Sequence, residues 1–221
     1  MKKRDKISIG ICGISVLLIF GITFCLFIPA EAVSEEVDQY IGFVMDTIDE
    51  NALTNTQLAA SSNPYDYIQN NDNFNAIVEL GTDALPEIAD EISDSDEDGL
   101  KEYFLAVAAE KIAKVDNYGW STGKGWQKKW CEHLSTVESE VDTIINSDES
   151  DNNKIAGLEA LGTPAVPFIV DAINDGQTEL IPAADYLLNG IGTEYNGDLN
   201  EWINANSAQI AKLRNIVADQ K

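Results

Sequence analysis

The stretch LGTDALPEIADEI, from Leu80 to Ile92, recurs later in the chain as LGTPAVPFIVDAI, from Leu161 to Ile173. The two stretches carry the same residue at eight matching positions, including the opening Leu-Gly-Thr and a proline, Pro86 or Pro167. A duplicated helical unit is the simplest explanation for a match of this length. The sequence therefore predicts architecture better than it predicts function, and it contains no recognisable catalytic constellation.

Each copy has the residues that two consecutive helices need. Gly81 suits the left-handed conformation that ends a helix, Thr82 can cap the next helix through its hydroxyl, and Pro86 falls in or near the first turn. Apolar residues about one helical turn apart give each short helix one apolar face. Because neither helix can bury that face alone, we expect stacked helix pairs in an all-α superhelix, or short solenoid.

This pattern resembles the HEAT-like repeats, including those of the phycobilisome-lyase type: an apolar helix, then Leu-Gly, then a proline that opens a second helix. The resemblance covers Asn71 to Val115 and Asn152 to Ile191, within a helical-repeat domain predicted from residue 63 to 221. It implies a helix-pair scaffold and no particular activity. The chain departs from the pattern at an acidic loop, Asp94 to Gly99, and at a Trp-rich insertion, residues 117–146.

The amino-terminal segment, residues 1–32, predicts a membrane anchor. The basic cluster MKKRDK precedes Ile7 to Ala30, which contains no charged residue and as a helix would span roughly 36 Å. This exceeds the bilayer core of about 30 Å, and the basic residues predict that the body lies outside the cytoplasm. The alternative is a signal peptide cleaved after Ala32, which would release a secreted body. Residues 33–62 are expected to form a juxtamembrane helix, Glu35 to Glu50, and a connector.

The charge of the chain is strongly negative, since 14 basic and 38 acidic residues give a formal net charge of −24. Four of the basic residues lie before Ile7, so the rest of the chain is more acidic still. Nucleic acids would repel such a body, which excludes them as partners. A cationic partner, divalent ions or a saline habitat would suit it, and so would a solubilising acidic surface without a specific partner.

Cysteine and histidine offer little chemistry in this sequence. Cys12 and Cys25 lie in the apolar segment, so Cys131 is the only thiol in the body and no internal disulfide is expected. Cys131 and His133 lie two residues apart, but no third ligand or orienting base accompanies them. We therefore expect a buried or incidental cysteine, a solvent-exposed histidine and no catalytic residue.

Asp94, Asp96 and Asp98, followed by a glycine, match the opening of an EF-hand calcium loop, in which alternate carboxylates converge on the ion. The match then fails, because Leu105 stands where the bidentate glutamate belongs. One hypothesis is a calcium site formed by these three aspartates and Glu102. The other is an acidic loop that caps the following helix, since carboxylates favour a helix amino terminus.

Residues 117–130 concentrate three of the four tryptophans together with three lysines. Two interpretations of this segment remain open. The helical spacing of Trp126 and Trp130 predicts core positions in a long inserted helix. The alternative is an exposed partner-binding patch, since tryptophan is enriched where binding energy is concentrated. The residues of that patch would be Trp120, Lys124, Trp126 and Trp130.

Two flanking segments are expected to complete the core. Tyr65 follows an Asn-Pro turn, and an aromatic side chain there is expected to pack inward. Leu199 to Ala218 carries apolar residues at helical spacing, which predicts a helix that caps the carboxy-terminal end of the stack.

The leading hypothesis is a membrane-anchored, extracytoplasmic scaffold or binding module, not an enzyme, whose partner is a protein or a component of the cell envelope. It rests on the anchor, the repeat and the lack of catalytic groups in the sequence. The alternative is a calcium- or cation-binding acidic surface module, with no other cofactor. A carboxylate-dependent hydrolase is the third hypothesis, since a count of residues does not exclude one.

Overall fold

The computed structural model describes residues 30–115 and 119–219, and the regular structure within them is entirely helical. This confirms the predicted all-α class. The basic cluster and the predicted membrane-spanning segment, up to residue 29, lie outside the described residues. The helices are α1 (Ala30–Thr54), α2 (Thr56–Ala59), α3 (Tyr65–Ile68), α4 (Asp72–Glu79), α5 (Leu85–Asp94), α6 (Leu100–Ala113), α7 (Gly123–Ile145), α8 (Asp151–Ala160), α9 (Val166–Asn174), α10 (Ile181–Leu188) and α11 (Leu199–Asp219).

Among the helices of residues 30–115 and 119–219, none is by itself both long enough and apolar enough to cross a membrane. One pair of consecutive helical segments, Asp151–Ala160 and Thr163–Asn174, meets that criterion jointly by length and composition, with a bend of 115° between them.

The duplicated stretch forms the same local structure twice. In the first copy a 3-10 turn, Gly81–Ala84, connects α4 to α5, and in the second the turn Thr163–Ala165 connects α8 to α9. Gly81 and Gly162 have φ angles of +67° and +71°, the left-handed values that the sequence predicts. In each copy the proline is the second residue of the second helix, where its missing N–H has no intrahelical partner to lose. A third helix, α6 or α10, then packs across each pair.

The threonine of each copy does not cap the second helix, contrary to the expectation from sequence. The intervening 3-10 turn moves the cap positions of α5 and α9 to Ala84 and Ala165, which have no side-chain hydroxyl. Thr82 is buried instead, and its Oγ1 accepts a hydrogen bond from Nε2 of Gln209 at 2.6 Å. The residue therefore connects the first turn to α11.

The repeating unit is larger than the sequence match indicates. The long helix α1 packs on α4, the first turn and α5, and the long helix α7 packs in the same way on α8, the second turn and α9. Five buried apolar residues of each long helix follow one spacing, with steps of four, four, three and four residues. These residues are Val33, Val37, Ile41, Val44 and Ile48 in α1, and Trp126, Trp130, Leu134, Val137 and Val141 in α7. Each unit therefore consists of a long helix and three shorter ones.

The segment of residues 33–62 is more helical than predicted. The expected helix from Glu35 to Glu50 extends to Thr54, and the expected connector contains α2. Asn55 begins that short helix, because its Oδ1 accepts hydrogen bonds from the backbone N–H groups of Gln57 and Leu58.

The carboxy-terminal helix α11 contacts both duplicated turns rather than only the end of the stack. It packs along α9 and the second turn, where Arg214 donates to both carboxylate oxygens of Asp171 at 2.8 and 2.9 Å. At the first turn, Lys212 pairs with Asp83, next to the glutamine bond described above. Helix α11 thus contacts both units and links them through these side-chain bonds.

Candidate functional site

Three aromatic side chains from separate parts of the chain form one surface, which we call the aromatic edge. Its members are Tyr65 from α3, Tyr103 from α6 and Trp120 from the connection that precedes α7. The ring centroids of Tyr65 and Tyr103 lie 5.7 Å apart with the planes at 88°, and those of Tyr103 and Trp120 lie 4.9 Å apart at 60°. Aromatic rings attract one another in such edge-to-face and tilted geometries, so the three side chains stabilise one another's positions without a ligand.

The aromatic edge is accessible to solvent. Tyr65 is 47% exposed, and Tyr103 and Trp120 are each partly exposed. The exposure of Tyr65 corrects its predicted core position, and the reason is that α3 is a single turn whose one buried residue is Ile68. Exposed aromatic residues on a rigid base are typical of protein-binding surfaces.

One carboxylate fixes the orientation of the edge and gives it a negative charge. The indole Nε1 of Trp120 donates to Oε1 of Glu110 at 2.6 Å. Burial, the hydrogen bond with Tyr65 and the negative charge of Glu110 raise the pKa of Tyr103 to about 12. The tyrosine therefore stays neutral over the physiological pH range, and the carboxylate is the charged group next to the rings.

Trp126 and Trp130 do not belong to an exposed patch, which corrects their place in the predicted binding site. Both are fully buried, and their rings stack with centroids 5.5 Å apart at an interplanar angle of 14°. Their burial follows from the position of α7, which packs on α5 and α6 of the first unit and on α8 and α9 of the second. The core interpretation of these two tryptophans is therefore the one that the structure supports.

Lys124 has a structural role rather than a free charge. Its Nζ donates to the backbone carbonyl oxygens of Ser93 and Ser95 at 2.9 and 2.5 Å, and its backbone N–H donates to Oδ1 of Asp98 at 3.1 Å. The last carbonyls of a helix have no intrahelical partner and carry partial negative charge, so an ammonium group stabilises them. Of the predicted binding residues, only Trp120 keeps an exposed surface without this kind of bond to the backbone.

The four predicted calcium ligands are not gathered into one site. Glu102 is buried at the start of α6, where it accepts hydrogen bonds from Ser95 Oγ at 2.6 Å and from the Gly99 N–H at 2.7 Å. Burial alone would raise its pKa, but these hydrogen bonds and the charge of Lys101 lower the pKa below its ordinary value. The carboxylate thus serves the amino terminus of its own helix. The loop aspartates do not cap α6 as expected, since the cap residue is Gly99 and Asp98 accepts its hydrogen bond from α7.

The aspartates of the same loop point to solvent. Asp94, Asp96 and Asp98 are all exposed, and Asp98 accepts the hydrogen bond from the backbone of α7 described above. Within residues 30–115 and 119–219, no group of three His, Cys, Asp or Glu side chains is placed to hold a metal ion. The loop therefore presents separate negative charges rather than a coordination shell.

His133 is buried, not exposed to solvent as the sequence suggests. Its Nε2 lies 3.0 Å from the carbonyl oxygen of Leu161, at the end of α8, and must carry the proton because a carbonyl oxygen only accepts. Burial lowers the pKa of the His133 imidazole. Cys131 is a partly exposed free thiol whose sulfur accepts a contact from Nε2 of Gln127. The two side chains thus contact different residues, Leu161 for His133 and Gln127 for Cys131.

Comparison with models of known protein families, with curated proteins and with solved structures finds no match to this chain. The functional argument therefore depends on the surfaces described above. Sequence reasoning found Trp120 but missed Tyr65, Tyr103 and Glu110 as its neighbours. The spacing of these residues along the chain contains no signal for their contact, because it results from the packing of α3 and α6.

Proposed function

We propose that this protein is a membrane-anchored scaffold outside the cytoplasm, and that its helical body binds a partner protein without catalysing a reaction. The observation that carries the proposal is the aromatic edge, since Tyr65, Tyr103 and Trp120 are held rigidly at the surface without a ligand. A preorganised aromatic surface loses little conformational entropy on binding.

We further propose that the body is a short HEAT-like solenoid. Two units with the same helix order support this assignment, and each has a left-handed glycine before the second helix of its duplicated stretch. The joint packing of α7 on both units supports a continuous stack, because each unit covers the apolar surface of its neighbour. Scaffolding is the usual use of such stacks, which agrees with a binding role.

The proposed anchor consists of the uncharged segment Ile7 to Ala30 behind a basic cluster. The length of the segment supports the proposal, since as a helix it is long enough to cross a bilayer. The basic residues favour an amino terminus inside the cell and a body outside it.

Labelling of intact cells with a membrane-impermeant maleimide tests this location. The reporter is Ala208→Cys, at an exposed position of α11, in a full chain that also carries Cys131→Ser. We expect the reporter to be labelled without permeabilisation, and the chain with Cys131→Ser alone serves as the control for Cys12 and Cys25. Labelling only after permeabilisation would place the body in the cytoplasm and refute the proposal. Recovery of the chain from the medium would show a cleaved signal peptide instead of an anchor.

A further inference from the structure

We infer that the aromatic edge, together with the adjacent acidic loop of residues 94–98, docks a basic segment of the partner protein. In this arrangement an arginine or lysine side chain lies on the rings of Tyr65 and Trp120, and neighbouring basic residues face the loop. The inference rests on the proposed binding function and specifies the chemistry of the partner.

The acidic loop and the aromatic edge are neighbours although they lie apart in the sequence. Both meet at the first turn of α7. On one side, the backbone N–H of Lys124 donates to Asp98 of the loop. On the other side, a Cβ built on Gly125 would lie 3.8 Å from the Cβ of Trp120. Two features that the sequence presents as rival hypotheses, an acidic loop and a tryptophan segment, therefore belong to one continuous surface.

The acidic loop is negatively charged, and among the described residues no ion pair engages Asp96, Glu97 or Asp98. Asp96, Glu97 and Asp98 are exposed, and Glu110 lies against the rings. The nearby lysines are already engaged: Nζ of Lys124 binds backbone carbonyls, and Lys101 pairs with glutamates on α5 and α6. A positively charged partner complements such a surface, and the long-range attraction also raises its association rate.

The rings of the aromatic edge provide the position at which a cationic side chain of the partner binds. A guanidinium or ammonium group over an exposed aromatic face gains roughly two- to fivefold in affinity per contact, and arginine can also stack its plane on a ring. A neutral glycan also stacks on aromatic rings and its hydroxyls donate to carboxylates, but it has no positive charge to complement the negative charge of the loop. The charge next to the rings therefore favours a basic peptide over an envelope glycan.

Fluorescence polarisation with the purified full chain in a mild detergent tests the inference. The probe is a labelled peptide of about ten residues that alternates arginine and glycine, used at about 150 mM salt to limit nonspecific attraction. Two matched pairs of variants separate docking from general charge. Tyr65→Ala is paired with Tyr186→Ala, since both tyrosines are exposed, at 47% and 55%. Asp96→Asn is paired with Asp148→Asn, an equal change of charge in another exposed acidic loop.

We expect Tyr65→Ala to weaken peptide binding about three- to fivefold and Asp96→Asn about twofold, while Tyr186→Ala and Asp148→Asn leave it unchanged. Equal losses within both pairs would show general electrostatic attraction and overturn the inference, as would no binding of the peptide. Binding of a neutral oligosaccharide that is lost in Tyr65→Ala would assign the edge to a glycan and also overturn it. Unchanged melting temperatures of the four variants exclude a folding defect as the cause.

These outcomes are distinguishable from a failure of the proposed function. A body that is labelled outside the cell and binds a partner independently of Tyr65 retains the scaffold role and loses only this docking surface. A body found in the cytoplasm loses the proposed location, whatever the peptide affinity.

Discussion

The two duplicated glycines provide a matched pair of substitutions with different predicted effects. Both have positive φ, at which alanine is disfavoured by about 1–2 kcal/mol. At Gly81 the nearest atom to an added Cβ is Cγ2 of Ile191 at 4.0 Å, which is ordinary contact. At Gly162 an added Cβ would overlap the carbonyl oxygen of Ala113 and a methyl group of Val115. Overpacking of this kind adds about 1–3 kcal/mol.

We therefore expect Gly81→Ala to lower the free energy of unfolding by about 1–2 kcal/mol and Gly162→Ala by about 2–5 kcal/mol. Urea unfolding of the two variants, followed by circular dichroism, measures the difference. Thermal unfolding gives a second estimate, at roughly 2–4 °C per kcal/mol for a chain of this length. Equal destabilisation of the two variants would refute the close approach of the second turn to the end of α6.

Three further predictions concern buried polar groups. Asn206→Ala should lower the free energy of unfolding by about 2–3 kcal/mol, because it removes the hydrogen bonds to the N–H and carbonyl of Thr193. Urea unfolding measures this loss, and a value below about 1 kcal/mol would contradict the prediction. Glu102→Gln should cost about 2 kcal/mol at neutral pH, through loss of the charged bond to the Gly99 N–H. The pKa of Glu102 is lower in the folded than in the unfolded protein, so its ionised carboxylate stabilises the fold above the unfolded pKa of about 4.5, and this stabilisation is lost as the pH falls. The melting temperatures of the parent protein and of Glu102→Gln should therefore converge in acid. Burial lowers the pKa of the His133 imidazole in the folded protein. The free energy of unfolding should therefore fall as the pH drops below about 6.5, the pKa of histidine in the unfolded chain. His133→Gln should show less of this loss between about pH 7 and pH 5. Parallel pH profiles of parent and variant would contradict that account.

The local structure of the duplicated stretch could be predicted because its signals are local. A glycine at a helix end and a proline in a first turn act on their own residue and its neighbours, so Gly81 and Gly162 both have the positive φ that favours glycine. The helical spacing of Trp126 and Trp130 likewise predicts their burial in α7. These inferences need no knowledge of which other helix lies nearby.

The contacts between distant residues could not be predicted in this way. Thr82 looks like a helix cap in the sequence, but its partner is Gln209 in the last helix. Glu102 looks like a calcium ligand, but a hydrogen bond to the Gly99 N–H directs it to its own helix terminus. Thr82 takes a partner that tertiary packing supplies, whereas Glu102 takes a local partner three residues earlier. In both cases burial favours the paired state, because an unpaired buried polar group costs about 1–3 kcal/mol.

The candidate surface shows the same limit. Trp120 stands out in the sequence because it lies in a segment rich in tryptophan and lysine. Tyr65 does not stand out, since an isolated tyrosine after an Asn-Pro turn is usually a packing residue. Only the folded chain brings the two to one edge, through the ring of Tyr103 between them.

Site-specific photo-cross-linking in intact native cells tests the central claim, that the body binds a partner at the aromatic edge outside the cytoplasm. A photoreactive phenylalanine derivative replaces Tyr65 in one full chain and Tyr186 in the control, so both probes occupy exposed tyrosine positions. We predict that the probe at position 65 traps one recurrent extracytoplasmic protein through a segment rich in arginine or lysine, and that the probe at position 186 does not. The same products from both positions, or none from position 65, would contradict the account.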